Sequence, residues 1–147
     1  MNTTTTESNG TKRSGKPVAL VVEDDGLTQI YMKTILARHF EVLVAGSGAE
    51  ARTHLADRPK DVRIVLMDLS LKGQEDGLAL TRYLRSEERW RALPIIATTA
   101  HAFAEDRRNA LSAGCDAYLA KPIEPAQLLA IIRKFLPDAV GESRAKA

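Results

Sequence analysis

The segment Ile64-Val65-Leu66-Met67-Asp68-Leu69-Ser70 places four consecutive apolar residues directly before a carboxylate. A short apolar run of this kind, bounded by a charged cluster at residues 60–63 and by a loop that contains Gly73, is typical of a strand buried on both faces. Since the carboxyl ends of strands face the binding crevice in open α/β sheets, Asp68 is expected at the mouth of a site. Taken alone, however, an Asp after a strand is more often a helix cap or a loop residue.

Length and composition predict one globular domain. The 147 residues are 44% apolar and 27% charged, and no apolar run approaches the roughly 20 residues of a membrane span. Cys115 is the single cysteine, so the chain forms no internal disulfide, and the Thr-rich N-terminus lacks the apolar region of a signal peptide. We therefore expect a cytoplasmic protein with no membrane partner.

The net charge of +2 belongs to the N-terminal segment, residues 1–16, whereas residues 17–136 and residues 137–147 are each neutral. A neutral body without a basic stripe argues against nucleic-acid binding. The polar composition of residues 1–16 predicts a disordered tail. Residues 17–136 are the predicted domain, and residues 137–147 are predicted to be a flexible C-terminal tail.

Apolar runs recur through the predicted domain and alternate with helical patterns. Strands are predicted at residues 18–22, 41–45, 64–68, 94–99 and 117–120. This alternation predicts an α/β fold in which helices cover both faces of a parallel sheet. The crossovers between strands are expected to be right-handed.

A predicted helix follows each strand. The helices begin after Gly26, at a capping box formed by Ser47 and Glu50, near Leu80, and at residues 104 and 125. The first has apolar residues at positions 27, 30, 31 and 35, and the fourth ends at Gly114, which suits a left-handed cap. The arginines between residues 82 and 91 are expected to form a solvated helix face.

Polar side chains stand at the ends of four predicted strands, where they share one edge of the sheet: Glu23, Asp24 and Asp25, Asp68, Thr99, and Lys121. Clustered carboxylates repel one another unless a proton or a cation intervenes, and Mg²⁺ is a hard cation that prefers oxygen ligands. Lys121 and Thr99 supply a positive charge and a hydrogen-bond donor for an anion. Together these groups predict phosphoryl chemistry with a carboxylate as the nucleophile.

Four separated motifs in this order resemble the receiver domains of two-component response regulators. They are Val21-Val22-Glu23-Asp24-Asp25, Leu66-Met67-Asp68, residues 94–100, and residues 114–122. The resemblance covers residues 18–136, about four-fifths of the chain. It implies a flavodoxin-like (βα)5 fold, a three-layer sandwich whose five parallel strands have the order 2-1-3-4-5.

The resemblance also implies a phosphoacceptor and a metal site. Asp68 is the expected phosphoacceptor, and Mg²⁺ is the expected cofactor. Asp24 and Asp68 are expected to bind the metal directly and Glu23 through a water molecule. Ser70 is expected to contribute its backbone carbonyl.

Three further residues have roles that the resemblance implies. Thr99 is the expected switch hydroxyl, which moves to the phosphoryl group, and Lys121 is expected to pair with the phosphoryl oxygens. Tyr118 is expected to rotate inward into the space that Thr99 leaves. The peptide bond between Lys121 and Pro122 is expected to be cis.

The expected function is that of a stand-alone receiver in a phosphorelay. A histidine kinase or a histidine phosphotransfer protein donates the phosphoryl group, and a downstream protein binds the face formed by residues 104–113, 117–120 and 125–136. The chain is expected to be a phosphoacceptor rather than an enzyme, although it assists its own phosphorylation and dephosphorylation. Since 11 residues follow Leu136, no DNA-binding output domain is expected.

The chain departs from the family pattern after Asp68. The segment from Asp68 to Gly77 is one residue longer than is usual, and Lys72 stands where proline is common. The loop conformation and the docking of a kinase or phosphatase are therefore open. The resemblance implies that Ser70 and His101 occupy the two positions that tune the lifetime of the phosphoryl group, in a direction that the sequence does not indicate.

Two alternatives belong to other functional classes. The first is a receiver-like interaction module that does not use phosphorylation, which would bind its partner equally well as wild type and as Asp68→Asn. The second is a flavodoxin-like cofactor binder, although acidic strand ends repel a flavin phosphate.

Overall fold

The computed structural model describes residues 15–71, 76–100 and 103–140. Within them lies one sheet of five parallel strands: β1 (Val18–Val22), β2 (Glu41–Ala45), β3 (Val62–Asp68), β4 (Ile95–Thr99) and β5 (Ala117–Ala120). The strands are hydrogen-bonded in the order β2-β1-β3-β4-β5. This order confirms the predicted flavodoxin-like α/β fold.

Five α-helices and one short 3₁₀-helix connect the strands within the described residues. They are α1 (Gly26–Leu36), α2 (Gly48–Asp57), α3 (Gly77–Ser86), the 3₁₀-helix Glu88–Trp90, α4 (Ala104–Ala113) and α5 (Pro125–Phe135). The predicted caps at Ser47 and Gly114 are confirmed, whereas the 3₁₀-helix is too short to produce a periodic pattern in the sequence. In this part of the chain no helix has the length and apolar character needed to cross a membrane.

Two apolar clusters lie on opposite faces of the sheet. Successive residues of β1 enter different clusters: Leu20 lies in the cluster that contains Leu80 of α3, and Val21 lies in the cluster that contains Leu36 of α1. All five residues of β1 are buried. This explains why the strand has a continuous apolar sequence, since both of its faces are covered by helices.

The parallel register aligns the strand ends that carry the predicted site. Asp68 pairs with Thr98, and Thr99 pairs with Ala120. Lys121 directly follows β5, just as Glu23 directly follows β1. The topology therefore brings groups from four strands to one edge of the sheet.

Helix α1 is present as predicted, but much of its apolar sequence does not enter the core. Leu27 is 79% exposed, Ile30 is 65% exposed and Tyr31 is 43% exposed. The buried residues of α1 are Met32 and Leu36. At 100° per residue these two sets of positions lie on nearly opposite sides of the helix, so the spacing predicts a helix without showing which side faces the sheet.

The packed part of the chain continues past Leu136. Val140 is buried, and its carbonyl accepts a hydrogen bond from the Arg133 Nε–H at 3.0 Å. The first four residues of the predicted C-terminal tail, 137–140, therefore include a core contact. Residues 1–14 and 141–147, which hold most of the two predicted tails, lie outside the described residues.

Candidate functional site

Glu23 and Asp68 are buried carboxylates at one edge of the sheet. Glu23 is 3% exposed and directly follows β1, and Asp68 is 2% exposed and ends β3. Asp24 lies beside them and is half-buried. Each of these three residues offers a carboxylate oxygen, and the three oxygens all lie within 4.8 Å of one another.

This acidic cluster fits a hard divalent cation. Three carboxylates at this spacing repel one another unless a positive charge intervenes. Their donor atoms are all oxygen, which suits Mg²⁺ better than a metal that prefers nitrogen or sulfur ligands. The neighbouring Asp25 has another use, because its Oδ2 accepts hydrogen bonds from the Thr28 N–H at 2.9 Å and the Thr28 hydroxyl at 2.7 Å and so caps α1.

Lys121 contacts both buried carboxylates. Its Nζ donates a hydrogen bond to Glu23 Oε1 at 2.8 Å and lies 3.6 Å from Asp68 Oδ1. Its backbone N–H donates to the Thr99 carbonyl at 2.7 Å. Lys121 therefore connects the ends of β1, β3 and β4 from the loop after β5. The peptide bond between Lys121 and Pro122 is cis, as predicted.

The charges in this group change the proton affinity of Glu23 and Lys121. Burial raises the pKa of Glu23 and the charge of Asp68 adds to the effect, whereas hydrogen bonds from Lys121 and from the Asp25 N–H oppose it. Burial acts to lower the pKa of Lys121, but the hydrogen bond to Glu23 and the negative charges of Asp68 and Glu23 outweigh it, so this pKa is raised. Lys121 is thus held as a cation beside Asp68.

Two residues that follow Asp68 in the chain contact its carboxylate and its carbonyl group. Asp68 Oδ1 accepts a hydrogen bond from the Ser70 N–H at 3.0 Å. Gly77, the first residue of α3, lies so close that a Cβ atom there would collide with the Asp68 carbonyl oxygen. The Ser70 carbonyl stays a predicted metal ligand. Residues 72–75, where the predicted loop extension lies, and His101 are outside the described residues.

Thr99 lies at the same edge, whereas Tyr118 lies within β5. Thr99 is 2% exposed and ends β4. Tyr118 pairs in register with Ala97 and lines a surface cavity of about 390 Å³ together with Leu111 of α4 and Phe135 of α5. The structure therefore joins Thr99 to the acidic edge and places Tyr118 on the face predicted to bind a partner.

Two residues of α1 to which the sequence patterns give no functional role contact the backbone of the site loops. The Gln29 Nε2 donates to the Glu23 carbonyl at 2.6 Å. The Tyr31 hydroxyl donates to the Ile123 carbonyl at 2.7 Å, across 92 positions of the chain. No local pattern signals a contact of this range, and the apolar spacing around Tyr31 predicts packing instead.

Sequence comparison with known proteins matches most of the chain to one family. Residues 19–133 match the family model described as the response regulator receiver domain. The chain is 33% identical over 121 residues to the polar-differentiation response regulator DivK of Brucella ovis, covering 82% of this chain and 96% of DivK.

Two solved structures are similar in both fold and sequence. One is the receiver domain of the sensor histidine kinase PA1611 from Pseudomonas aeruginosa PAO1, with a magnesium ion coordinated in its active site cleft (TM-score 0.73, 34% identity, 82% of this chain and 98% of that chain covered). The other is the BeF3-activated N-terminal receiver domain of Klebsiella pneumoniae RstA (TM-score 0.73, 31% identity, 81% and 97% covered). Each likeness covers about four-fifths of this chain.

Proposed function

This chain belongs to the response regulator receiver domain family of two-component signalling, and on that premise we propose that Asp68 accepts a phosphoryl group in a Mg²⁺-dependent reaction. The donor is a phosphohistidine on a histidine kinase or a histidine phosphotransfer protein. Phosphorylation then changes the binding of a downstream protein. The observation that carries the proposal is the close group of Glu23, Asp24 and Asp68 oxygens with the Lys121 ammonium 3.6 Å from Asp68.

In the proposed reaction a carboxylate oxygen of Asp68 attacks the phosphorus atom of the donor. The bond from phosphorus to the imidazole nitrogen breaks, its electron pair stays on that nitrogen, and an aspartyl phosphate forms. Lys121 stabilises the negative phosphoryl oxygens with its ammonium charge. Thr99 donates a hydrogen bond from its hydroxyl to one of these oxygens. Lys121 and Thr99 are therefore already in position to stabilise the negative charge that develops on the phosphoryl oxygens during transfer.

The acidic cluster is the proposed Mg²⁺ site. Asp24 and Asp68 would hold the metal directly, with the Ser70 carbonyl as a further ligand and Glu23 acting through water. When bound, the ion neutralises the carboxylates and the phosphoryl charge. The all-oxygen donor set supports this assignment, as does the magnesium ion in the active site cleft of the similar PA1611 receiver.

We infer that the switch extends from Thr99 to the face formed by α4, β5 and α5. Movement of the Thr99 hydroxyl toward the phosphoryl group leaves space into which Tyr118 turns. The cavity of about 390 Å³ beside Tyr118 and the 42% exposure of Leu111 support this face as the surface that binds the downstream protein.

The protein acts in this proposal as a phosphoacceptor rather than as an enzyme with a separate substrate. The same residues that assist transfer of the phosphoryl group to Asp68 also assist the later hydrolysis of the aspartyl phosphate. The single, buried Cys115 suits the reducing cytoplasm, where we expect the protein to act.

Intact-mass spectrometry after incubation with acetyl phosphate and Mg²⁺ tests the proposal. We expect one phosphoryl adduct on the wild type and none on Asp68→Asn. Asp57→Asn is the matched control, because it removes an exposed carboxylate at the end of α2 and should leave the adduct unchanged. An unmodified wild type, or an equal adduct on Asp68→Asn, would contradict the assignment.

A further inference from the structure

Helix α1 contacts both loops that form the acidic edge. Gln29 donates to the carbonyl of Glu23, the first of the site acids, at 2.6 Å. Two residues later, the Tyr31 hydroxyl donates to the carbonyl of Ile123 at 2.7 Å. Ile123 lies two residues beyond Lys121. One helix is therefore hydrogen-bonded to the acid-bearing loop and to the lysine-bearing loop.

The position of the Lys121 ammonium depends on where its loop lies. On the N-terminal side, the Lys121 N–H is bonded to the Thr99 carbonyl at 2.7 Å, which ties the residue to β4. On the C-terminal side, the Ile123 side chain is buried and its carbonyl is held by Tyr31. Lys121 thus lies between two anchored points, and its Nζ lies 2.8 Å from Glu23 and 3.6 Å from Asp68.

Packing alone does not account for Tyr31. Its side chain is 43% exposed and lies on the exposed side of α1 with Leu27 and Ile30. It lines an open groove of about 690 Å³ between α1 and the loop that contains Lys121 and Pro122. The specific contact of this half-exposed ring is its hydroxyl group, which reaches the loop backbone.

We propose that Tyr31 is a positioning residue for Lys121, which sets the distance between the ammonium and the Asp68 carboxylate through the Ile123 carbonyl. The proposal rests on the proposed phosphoacceptor function, because the position of the Lys121 ammonium affects the rate of phosphoryl transfer to Asp68. A small displacement of a positioned group lowers a reaction rate without removing any reacting atom. We expect loss of the hydroxyl to slow phosphorylation by about three- to tenfold, the size that one ordinary hydrogen bond supports.

The first test compares Tyr31→Phe with Tyr83→Phe. Each variant loses one phenolic hydroxyl and keeps its ring, and Tyr83 lies on α3, where its ring stacks on Arg52. Phosphorylation by acetyl phosphate at fixed Mg²⁺ should be slowed in Tyr31→Phe and unchanged in Tyr83→Phe. Equal rates for wild type and Tyr31→Phe would overturn the proposal. A wild type that forms no adduct would instead refute the phosphoacceptor function itself.

A double-mutant cycle separates positioning from a general structural role. If Tyr31 acts through Lys121, Tyr31→Phe slows the wild type but has no further effect on Lys121→Ala. The same slowing in both backgrounds would overturn the proposal, because Tyr31 would then act by another route.

Hydrogen exchange supplies a readout that does not depend on the reaction. In Tyr31→Phe we expect faster exchange of the amide hydrogens of Lys121, Ile123 and Glu124, with unchanged exchange in β1 and β3. Unchanged exchange at Lys121, Ile123 and Glu124 would also overturn the proposal, since the loop would then be held without the hydroxyl.

Discussion

Asp68 is held by single residues on three sides. The Ser70 N–H binds its carboxylate, the Lys121 ammonium lies 3.6 Å from it, and Gly77 packs against its carbonyl oxygen. The first two residues could be singled out through the family resemblance, because Lys121 lies in one of its motifs and Ser70 lies two residues after another, although the expected role of Ser70 is that of a metal ligand. The contact of Gly77 could not, since it depends on how closely α3 packs against the end of β3.

Replacing Gly77 by alanine should destabilise the fold at Asp68. The added Cβ would collide with the Asp68 carbonyl oxygen, which is a main-chain atom and not the movable end of a flexible side chain. We expect the free energy of unfolding to fall by about 1–3 kcal/mol, as for overpacking in a close-packed interior. Urea denaturation measures this change.

Gly26→Ala is the matched control for that substitution. Gly26 is also the first residue of a helix, but a Cβ there meets no atom within 4 Å. This variant should keep or slightly raise the stability, by up to about 1 kcal/mol, because alanine loses less backbone freedom on folding than glycine. If Gly77→Ala were as stable as Gly26→Ala, the inference that Gly77 packs closely against the Asp68 carbonyl would be wrong.

At the scale of elements, Arg85 corrects the expectation that the arginines between residues 82 and 91 form one solvated face. Its guanidinium donates to the carbonyls of Gly114 at 2.8 Å and Leu93 at 2.7 Å, and to Asp116 Oδ2 at 2.8 Å. The side chain is 18% exposed. Arg85 thus joins the end of α3 to the start of β4 and to the turn between α4 and β5. The positions of these arginines in the sequence do not reveal which one turns inward.

Arg85→Met should weaken the junction of these three elements. The substitution keeps the apolar part of the side chain but removes the donor to the partly buried carbonyls of Gly114 and Leu93. Asp116 loses its ion pair and keeps the hydrogen bond from the Ile95 N–H. We expect a loss of about 1–3 kcal/mol in unfolding free energy, since the lost hydrogen bonds serve partly buried acceptors. The exposed Arg82 on the same helix is the control, and Arg82→Met should change stability by less than about 0.5 kcal/mol. Equal, small effects of both substitutions would contradict this account of Arg85.

Helix α1 shows which properties of an element a sequence pattern predicts and which it does not. The spacing of its apolar residues predicts the helix correctly, because period and length are local properties. The side that packs on the sheet, with Met32 and Leu36, is decided by the sheet itself. The exposed side and the contact from Tyr31 to Ile123 follow from the same tertiary placement and have no signal in the local sequence.

At the scale of the whole molecule, the sheet order places side chains that are distant in sequence at one edge. Lys121 and Glu23 are 98 positions apart and form a 2.8 Å hydrogen bond. Alternating apolar strands and helices are enough to predict a parallel sheet, and hence a shared edge for the strand ends. The strand order itself came from the family resemblance, because the apolar runs do not specify which strands are neighbours.

The acidic edge predicts that Mg²⁺ stabilises the folded protein. Binding to the folded state relieves the repulsion among the carboxylates and adds about 2.7 kcal/mol when the free Mg²⁺ concentration is 100 times Kd. Thermal unfolding across a Mg²⁺ titration should therefore show a rising Tm in the wild type. Asp24→Asn, which removes one carboxylate of the cluster, should reduce the rise. A wild-type Tm that ignores Mg²⁺ would refute the metal site.

The most direct test of the central claim is to locate the phosphoryl group on the chain. Reduction of an aspartyl phosphate by borohydride converts that residue to homoserine, which peptide mass spectrometry can place in the sequence. After phosphorylation with acetyl phosphate and Mg²⁺, we expect homoserine at position 68 and unmodified Glu23 and Asp24. Homoserine at another aspartate, or none in a sample that carries the phosphoryl adduct, would contradict Asp68 as the phosphoacceptor.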